Sequence, residues 1–351
     1  MTIAVATAED LNTTVRNNPY ESYIQTANID LSGYNWDPIA TFYGTYDGQG
    51  YSINNLYIEK APTEWWFYHS LFHSLNGATM RNIRMIDINI QLPHDGSGDY
   101  GGDWAGGIAG RAWGGTSFEC CYVTGVINAG AGGICGRSYG GGFSKCASKV
   151  DFTGYASHIP SGITSSHAGG GIVKLDDSSN ALSVTNCYSR MTFDGGNYYE
   201  DAFASIGWYP AGGVGGRLVN ATIENCYTTG VNSLYDPLFS SGMTITNSYY
   251  DASLVPDSGG TGEPRSTAQM TYPESFGDTY SGWDFNDIWA SDVNYTINNG
   301  YPYLRCPVSG FNIWVKKSGE WLQVTEIWVK KGGVWQPVSS VDVNKDGWKP
   351  I

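Results

Sequence analysis

Between Ser52 and Tyr249 the apolar and polar positions repeat as a four-residue phrase: an apolar residue, a free position, usually Asn, then a small or apolar residue. It reads Ile53-Asn54-Asn55-Leu56, Met80-Arg81-Asn82-Ile83, Phe118-Glu119-Cys120-Cys121, Phe143-Ser144-Lys145-Cys146, Val184-Thr185-Asn186-Cys187, Ile223-Glu224-Asn225-Cys226 and Ile245-Thr246-Asn247-Ser248. The last column recurs at spacings of 22 to 41 residues, the period of stacked repeats that are individually too small to bury an apolar face. Phe118, Cys120 and Tyr122 alternate with Glu119, Cys121 and Val123, the period of two that marks strands. The pattern therefore predicts an all-β chain coiled as a parallel β-helix. In such a stack Asn55, Asn82, Asn186, Asn225 and Asn247 would form a side-chain amide ladder, interrupted by Cys120 and Lys145, that holds the sheet flat.

A second phrase recurs upstream of the first: Gly106-Gly107-Ile108-Ala109-Gly110, Gly132-Gly133-Ile134-Cys135-Gly136, Gly170-Gly171-Ile172-Val173 and Gly212-Gly213-Val214-Gly215-Gly216. Glycine at this density suits corners with positive φ or places where backbones approach closely. Thr7-Ala8-Glu9-Asp10, followed by Leu11 and Val15 at helical spacing, predicts a short capped helix over 8–17 that closes one open end of the solenoid. The segment from Trp283 to Leu304 is expected to close the other end, reached by a loop over 256–268. After Cys306-Pro307 the unit changes: Ile313-Trp314-Val315-Lys316-Lys317-Ser318-Gly319-Glu320-Trp321 returns as Ile327-Trp328-Val329-Lys330-Lys331-Gly332-Gly333-Val334-Trp335, and a shortened copy covers Val341 to Trp348. Each copy reads as strand, turn, strand. Four regions follow: 1–50, N-terminal cap and first coil; 51–255, solenoid with loop insertions; 256–306, C-terminal cap; 307–351, a hairpin module.

The opening Asp30-Leu31-Ser32-Gly33-Tyr34, Trp36-Asp37-Pro38-Ile39 and Phe42 to Gly50 resembles that of GLUG-motif β-helix proteins. Their Gly-Gly-Ile-x-Gly phrase matches the four segments above. The closing Met270, Gly282-Trp283-Asp284-Phe285, Trp289 and Asn299 to Leu304 is similar too. The resemblance spans roughly residues 1–305 and implies a right-handed parallel β-helix; the family, mostly cell-surface and virion proteins, implies little about activity. The C-terminal hairpin repeats resemble those of phage tail and receptor-binding proteins.

Composition narrows the function. A formal net charge of −14 disfavours a protein that tracks nucleic-acid phosphates. The sequence has no run of 18 apolar residues, so membrane insertion is not expected, and the first ten residues lack signal-peptide character. Cys121, Cys146, Cys187 and Cys226 share one core-facing column, and the cysteines are expected to be reduced structural thiols. Thiols and the absent leader together suggest assembly in a host cytoplasm and release in a virion.

The candidate chemistry lies in aromatic-rich loops. Trp65, Trp66, Tyr68, Trp104, Trp113, Tyr139, Tyr198, Tyr199, Trp208 and Tyr209 sit beside Gly, Pro or acidic residues. Flat rings on a rigid scaffold can stack on sugars, or pack over the solenoid or between subunits. A glycosidase would need paired carboxylates across a groove; Asp176, Asp177, Asp194 with Glu200 and Asp201, and Asp103 are the candidates. Asp342, Asn344 and Asp346 begin a calcium-loop pattern without its twelfth-position acid, and Asp95, Asp99 and Asp103 are a second weak metal candidate. No cofactor motif is present.

These readings converge on a phage adhesin, a tail-fibre tip or tailspike-like protein that binds a bacterial surface polysaccharide and joins virion proteins or its own copies through 307–351. A polysaccharide depolymerase and a structural or decoration protein without receptor contact are the alternatives.

Overall fold

The computed structural model describes residues 2–59, 68–91, 104–128, 131–153, 170–176, 180–193, 215–217, 220–230, 242–254, 262–271 and 278–306, and the strands at 314–317, 320–323, 328–331 and 334–337. The chain is all-β, and its large sheets are parallel. A first sheet orders nine strands from Thr2–Val5 through Thr79–Arg81, Ser117–Glu119, Gly141–Ser144 and Leu182–Thr185 to Thr244–Thr246. A second, of eleven, includes Arg84–Gln91, Tyr122–Asn128, Ala147–Phe152, Tyr188–Arg190, Tyr227–Thr229 and Tyr249–Asp251. A third, of six, includes Phe72–Asn76, Ala109–Trp113, Cys135–Ser138, Val173–Asp176 and Gly215–Arg217. The chain passes from third to first to second sheet and returns, so Ala109–Trp113, Ser117–Glu119 and Tyr122–Asn128 make one circuit and Cys135–Ser138, Gly141–Ser144 and Ala147–Phe152 the next. Between the sheets lies one continuous apolar core, with Phe118 stacked on Phe143 at 4.7 Å.

The recurring phrase is a corner, where the sequence pattern had suggested a continuous strand. Its third residue has φ between 46° and 59° in all seven copies, Cys120 and Lys145 included. In six copies a first-sheet strand ends before it and a second-sheet strand begins after it; in the first copy the flanking strands Ser52–Asn54 and Tyr57–Glu59 both belong to the second sheet, so Asn55 lies outside the column. Asn tolerates this left-handed conformation better than other side chains, which accounts for the Asn column. The expected amide ladder is absent among the described residues. Main-chain donors join the column instead: Asn82 N–H donates to Glu119 O (2.9 Å), Cys120 to Ser144 O (2.9 Å), Lys145 to Thr185 O (3.0 Å) and Asn186 to Glu224 O (2.9 Å).

Immediately after the corner, the inward column forms a thiol ladder. Cys146 N–H donates to Cys187 Sγ (3.3 Å), Cys187 N–H to Cys226 Sγ (3.4 Å), and Cys226 N–H to Ser248 Oγ (3.0 Å). Each thiol or hydroxyl donates in turn to the carbonyl two residues earlier, Thr185 O for Cys187 and Thr246 O for Ser248. Burial pushes the Cys121 and Cys187 thiols up, which keeps them protonated. Cys121, Cys146, Cys187 and Cys226 are free and buried as expected, and Cys135 is buried as well. The expectation fails at Cys120, which forms a disulfide with Cys306. At the corner its side chain turns away from the column, to where Cys306 lies.

At the N-terminus the chain is helical over 8–17, with a π-helical stretch Asp10–Val15. Thr7 Oγ1 accepts from Asp10 N–H (3.1 Å) and Asp10 Oδ2 from Thr7 N–H (2.9 Å), a reciprocal cap. Leu11 and Val15 enter the core. Part of the expected 256–268 loop is structured: Glu263–Arg265 extends the second sheet and the helix Thr267–Thr271 follows.

The segment Trp283 to Leu304 lies along the outer face of the second sheet. There Tyr122, Ala147, Tyr188, Tyr227 and Tyr249 occupy one register line, and Trp283, Trp289, Tyr301 and Leu304 pack over it with Tyr280 and Met270. Trp283 Nε1 donates to Asn247 O (3.0 Å), Trp289 Nε1 to Asn186 Oδ1 (3.3 Å) and Tyr227 Oη to Pro302 O (2.6 Å). The segment is a strap across successive circuits. Beyond it, Trp314–Lys317 pairs with Glu320–Gln323 and Trp328–Lys331 with Val334–Pro337, two antiparallel hairpins as expected; the third copy lies outside the described residues. Among the described residues no helix is long and apolar enough to cross a membrane.

Candidate functional site: an aromatic and arginine cluster

The glycine phrase builds the site. A short parallel sheet of Tyr68–His69, Trp104–Gly106 and Ala131–Gly132 lies against the third sheet, with Trp104 in register with Tyr68. Its approach is possible only because the third-sheet strands carry glycine there. A Cβ at Gly110 would lie 2.3 Å from Tyr68 Cβ, and one at Gly136 would lie 2.7 Å from Ala105 O and 3.0 Å from the Trp104 carbonyl carbon. Neither glycine has positive φ, so close approach accounts for them.

The residue after each glycine is arginine. Arg111 and Arg137 are register partners on adjacent strands. The Arg111 guanidinium carbon sits 4.5 Å from the Trp113 ring centroid, 4.9 Å from Tyr139 and 5.8 Å from Tyr68. That of Arg137 sits 4.7 Å from Tyr139 and 4.9 Å from Trp104. Tyr139 is shared by both cations, and its N–H donates to Ala112 O (2.9 Å), which seats it beside Trp113. Trp104 is buried; the other five side chains are half-buried.

The electrostatics favour an anion. Both guanidiniums lie within 5 Å of one ring centroid, so they are at most about 10 Å apart and repel by at least roughly 1.7 kcal/mol at an effective dielectric constant near 20. Cation–π contacts return roughly 0.5–2 kcal/mol each, enough to hold the pair without neutralising it. Arg111 Nε is buried with no hydrogen-bond partner, and no carboxylate pairs with Arg111 among the described residues. His73, edge-on to Tyr68 at 4.8 Å, is held below the usual imidazole range by burial and by Arg111, against an opposing pull from Asp37. At neutral pH the arginines therefore carry the charge.

The structure thus gathers Tyr68, Trp104, Trp113 and Tyr139 into one cluster. The other aromatic candidates, Trp65, Trp66, Tyr198, Tyr199, Trp208 and Tyr209, lie outside the described residues, as do Asp177, Asp194, Asp201, the two metal candidates 342–346 and 95–103, and Glu200. Asp176 ends a third-sheet strand opposite Ser138, one strand on from Arg137. Among the described residues no three His, Cys, Asp or Glu side chains are grouped to hold a metal ion. Arg111 and Arg137 are not among the sequence candidates, although Ala109-Gly110-Arg111-Ala112-Trp113 and Cys135-Gly136-Arg137-Ser138-Tyr139 share the signal Gly-Arg-x-aromatic. No protein-family model matches this chain, and no curated protein is significantly similar to it.

Proposed function

We propose that the three parallel sheets are the faces of a right-handed β-helix of the GLUG-motif type, and that the protein is a phage virion adhesin that binds a bacterial surface glycan. The observation that carries this reading is the gathering of four loop and strand aromatics, separated in sequence by up to 71 residues, about two arginines on a rigid parallel scaffold. Rings of this kind stack on the apolar faces of sugars, while half-buried donors orient hydroxyl and acidic substituents. The Cys120–Cys306 disulfide fits a protein that works outside a reducing cytoplasm. In this reading the hairpins of 307–351 attach the adhesin to the virion or to further copies of the chain. Immunogold labelling of virions tests the assignment: label at the distal tail supports it, and label confined to the capsid, or absent from particles, overturns it.

A further inference from the structure

We propose that the cluster selects an acidic polysaccharide, one whose sugar carboxylate is held by Arg111 and Arg137 while Trp113 and Tyr139 contact the ring faces; this rests on the adhesin reading and names the class of its ligand. Three observations converge. Arg111 and Arg137 are register partners on adjacent strands and both guanidinium carbons lie within 5 Å of the Tyr139 ring centroid, so two cations converge on one ring, and guanidinium is the side chain suited to bidentate carboxylate recognition. Arg111 keeps a buried Nε without a hydrogen-bond partner, and among the described residues no carboxylate pairs with it, in a chain with a net charge of −14. The aromatic rings sit against both cations before any ligand arrives, so less side-chain freedom is lost on binding.

The test uses the full chain on a panel of immobilised acidic and neutral bacterial surface polysaccharides, each acidic member also carboxyl-reduced to its neutral counterpart. We expect binding to acidic members only, weakened at least tenfold by carboxyl reduction and by raising salt from 50 to 500 mM. Arg111→Gln should lose binding by at least tenfold with an unchanged melting temperature, and Arg111→Lys should lose less. Should Arg111→Gln prove unstable, the carboxyl-reduced polymers decide the matter with the unmodified protein. Binding that survives carboxyl reduction, or that needs phosphate substituents, overturns the acidic-sugar assignment and leaves the adhesin reading standing. Binding to no polysaccharide overturns both.

Discussion

Cys120 and Cys306 are 186 residues apart and joined by a disulfide whose Cα atoms are 5.3 Å apart. The bond fastens the end of the aromatic strap to the corner of an early circuit. It closes a long loop, and such bonds contribute about 2–5 kcal/mol. The strap has a second anchor: Trp289 is fully buried, and Tyr301 and Trp283 are only 3% and 6% exposed. Each such ring buries about 150–250 Å², worth roughly 4–6 kcal/mol at 25 cal/mol/Å².

Packing therefore outweighs the bond, and the two can be separated. Reduction should lower the melting temperature of the wild type while leaving tryptophan fluorescence at 25 °C unchanged. Cys120→Ser and Cys306→Ser should each reproduce the lower value and be insensitive to reductant. A reductant effect that persists in either variant would contradict the pairing.

The thiol ladder makes a prediction about chemistry rather than size. Cys187→Ala removes the acceptor of the buried Cys146 N–H, which should cost about 1–3 kcal/mol. Cys187→Ser should cost less, since Ser248 already occupies this column and accepts Cys226 N–H at 3.0 Å. Urea unfolding of the two variants checks the order.

Asn225 separates the two roles considered for the Asn column. Its φ is 51°, and its buried Oδ1 has no hydrogen-bond partner. Asn225→Gly should therefore cost no more than about 1 kcal/mol, the entropic penalty of glycine. Asn225→Val should cost more, because a β-branched residue resists the left-handed region. Equal losses in urea unfolding would point to the amide rather than the backbone.

Within the strap, Asp292 accepts from the N–H groups of Asn298 (2.7 Å), Gly300 (3.0 Å), Thr296 (3.0 Å) and Ile297 (3.1 Å). Burial pushes the carboxyl up, but these four donors outweigh it and leave it below the usual range. With a folded pKa below the unfolded one, its stabilisation is complete above about pH 4 and is lost as pH falls through the folded value. Asp292→Asn should be less stable than wild type at pH 7, and the gap in melting temperature should narrow toward pH 2–3. A constant gap would contradict this.

The fold was legible where spacing carries the information. The column through Ile83, Cys121 and Cys226 marks successive circuits because like positions stack in register in parallel strands; the first copy falls outside it, since Ile53 pairs with Met85 and not with Met80. The corner was harder to see, since Glu119 and Tyr122 continue an alternation that an intervening left-handed residue does not erase in the sequence. The strap and the disulfide depend on contacts between residues 36 to 186 positions apart. The only hint is Tyr122, Tyr188, Tyr227 and Tyr249, each following a core residue and thus facing outward in need of cover. At the site, the aromatic rings are legible as candidates from their type alone, whereas Arg111 and Arg137 are not, because an isolated arginine is ordinarily a solvated surface charge.

Tyr139 bridges both cations, so it offers the most direct test of whether the cluster binds glycan. Calorimetric titration of the full chain with a surface polysaccharide that binds the wild type, repeated with Tyr139→Ala, reads its contribution. Affinity is expected to fall at least tenfold with the fold intact by circular dichroism. Unchanged affinity in a folded variant would contradict it.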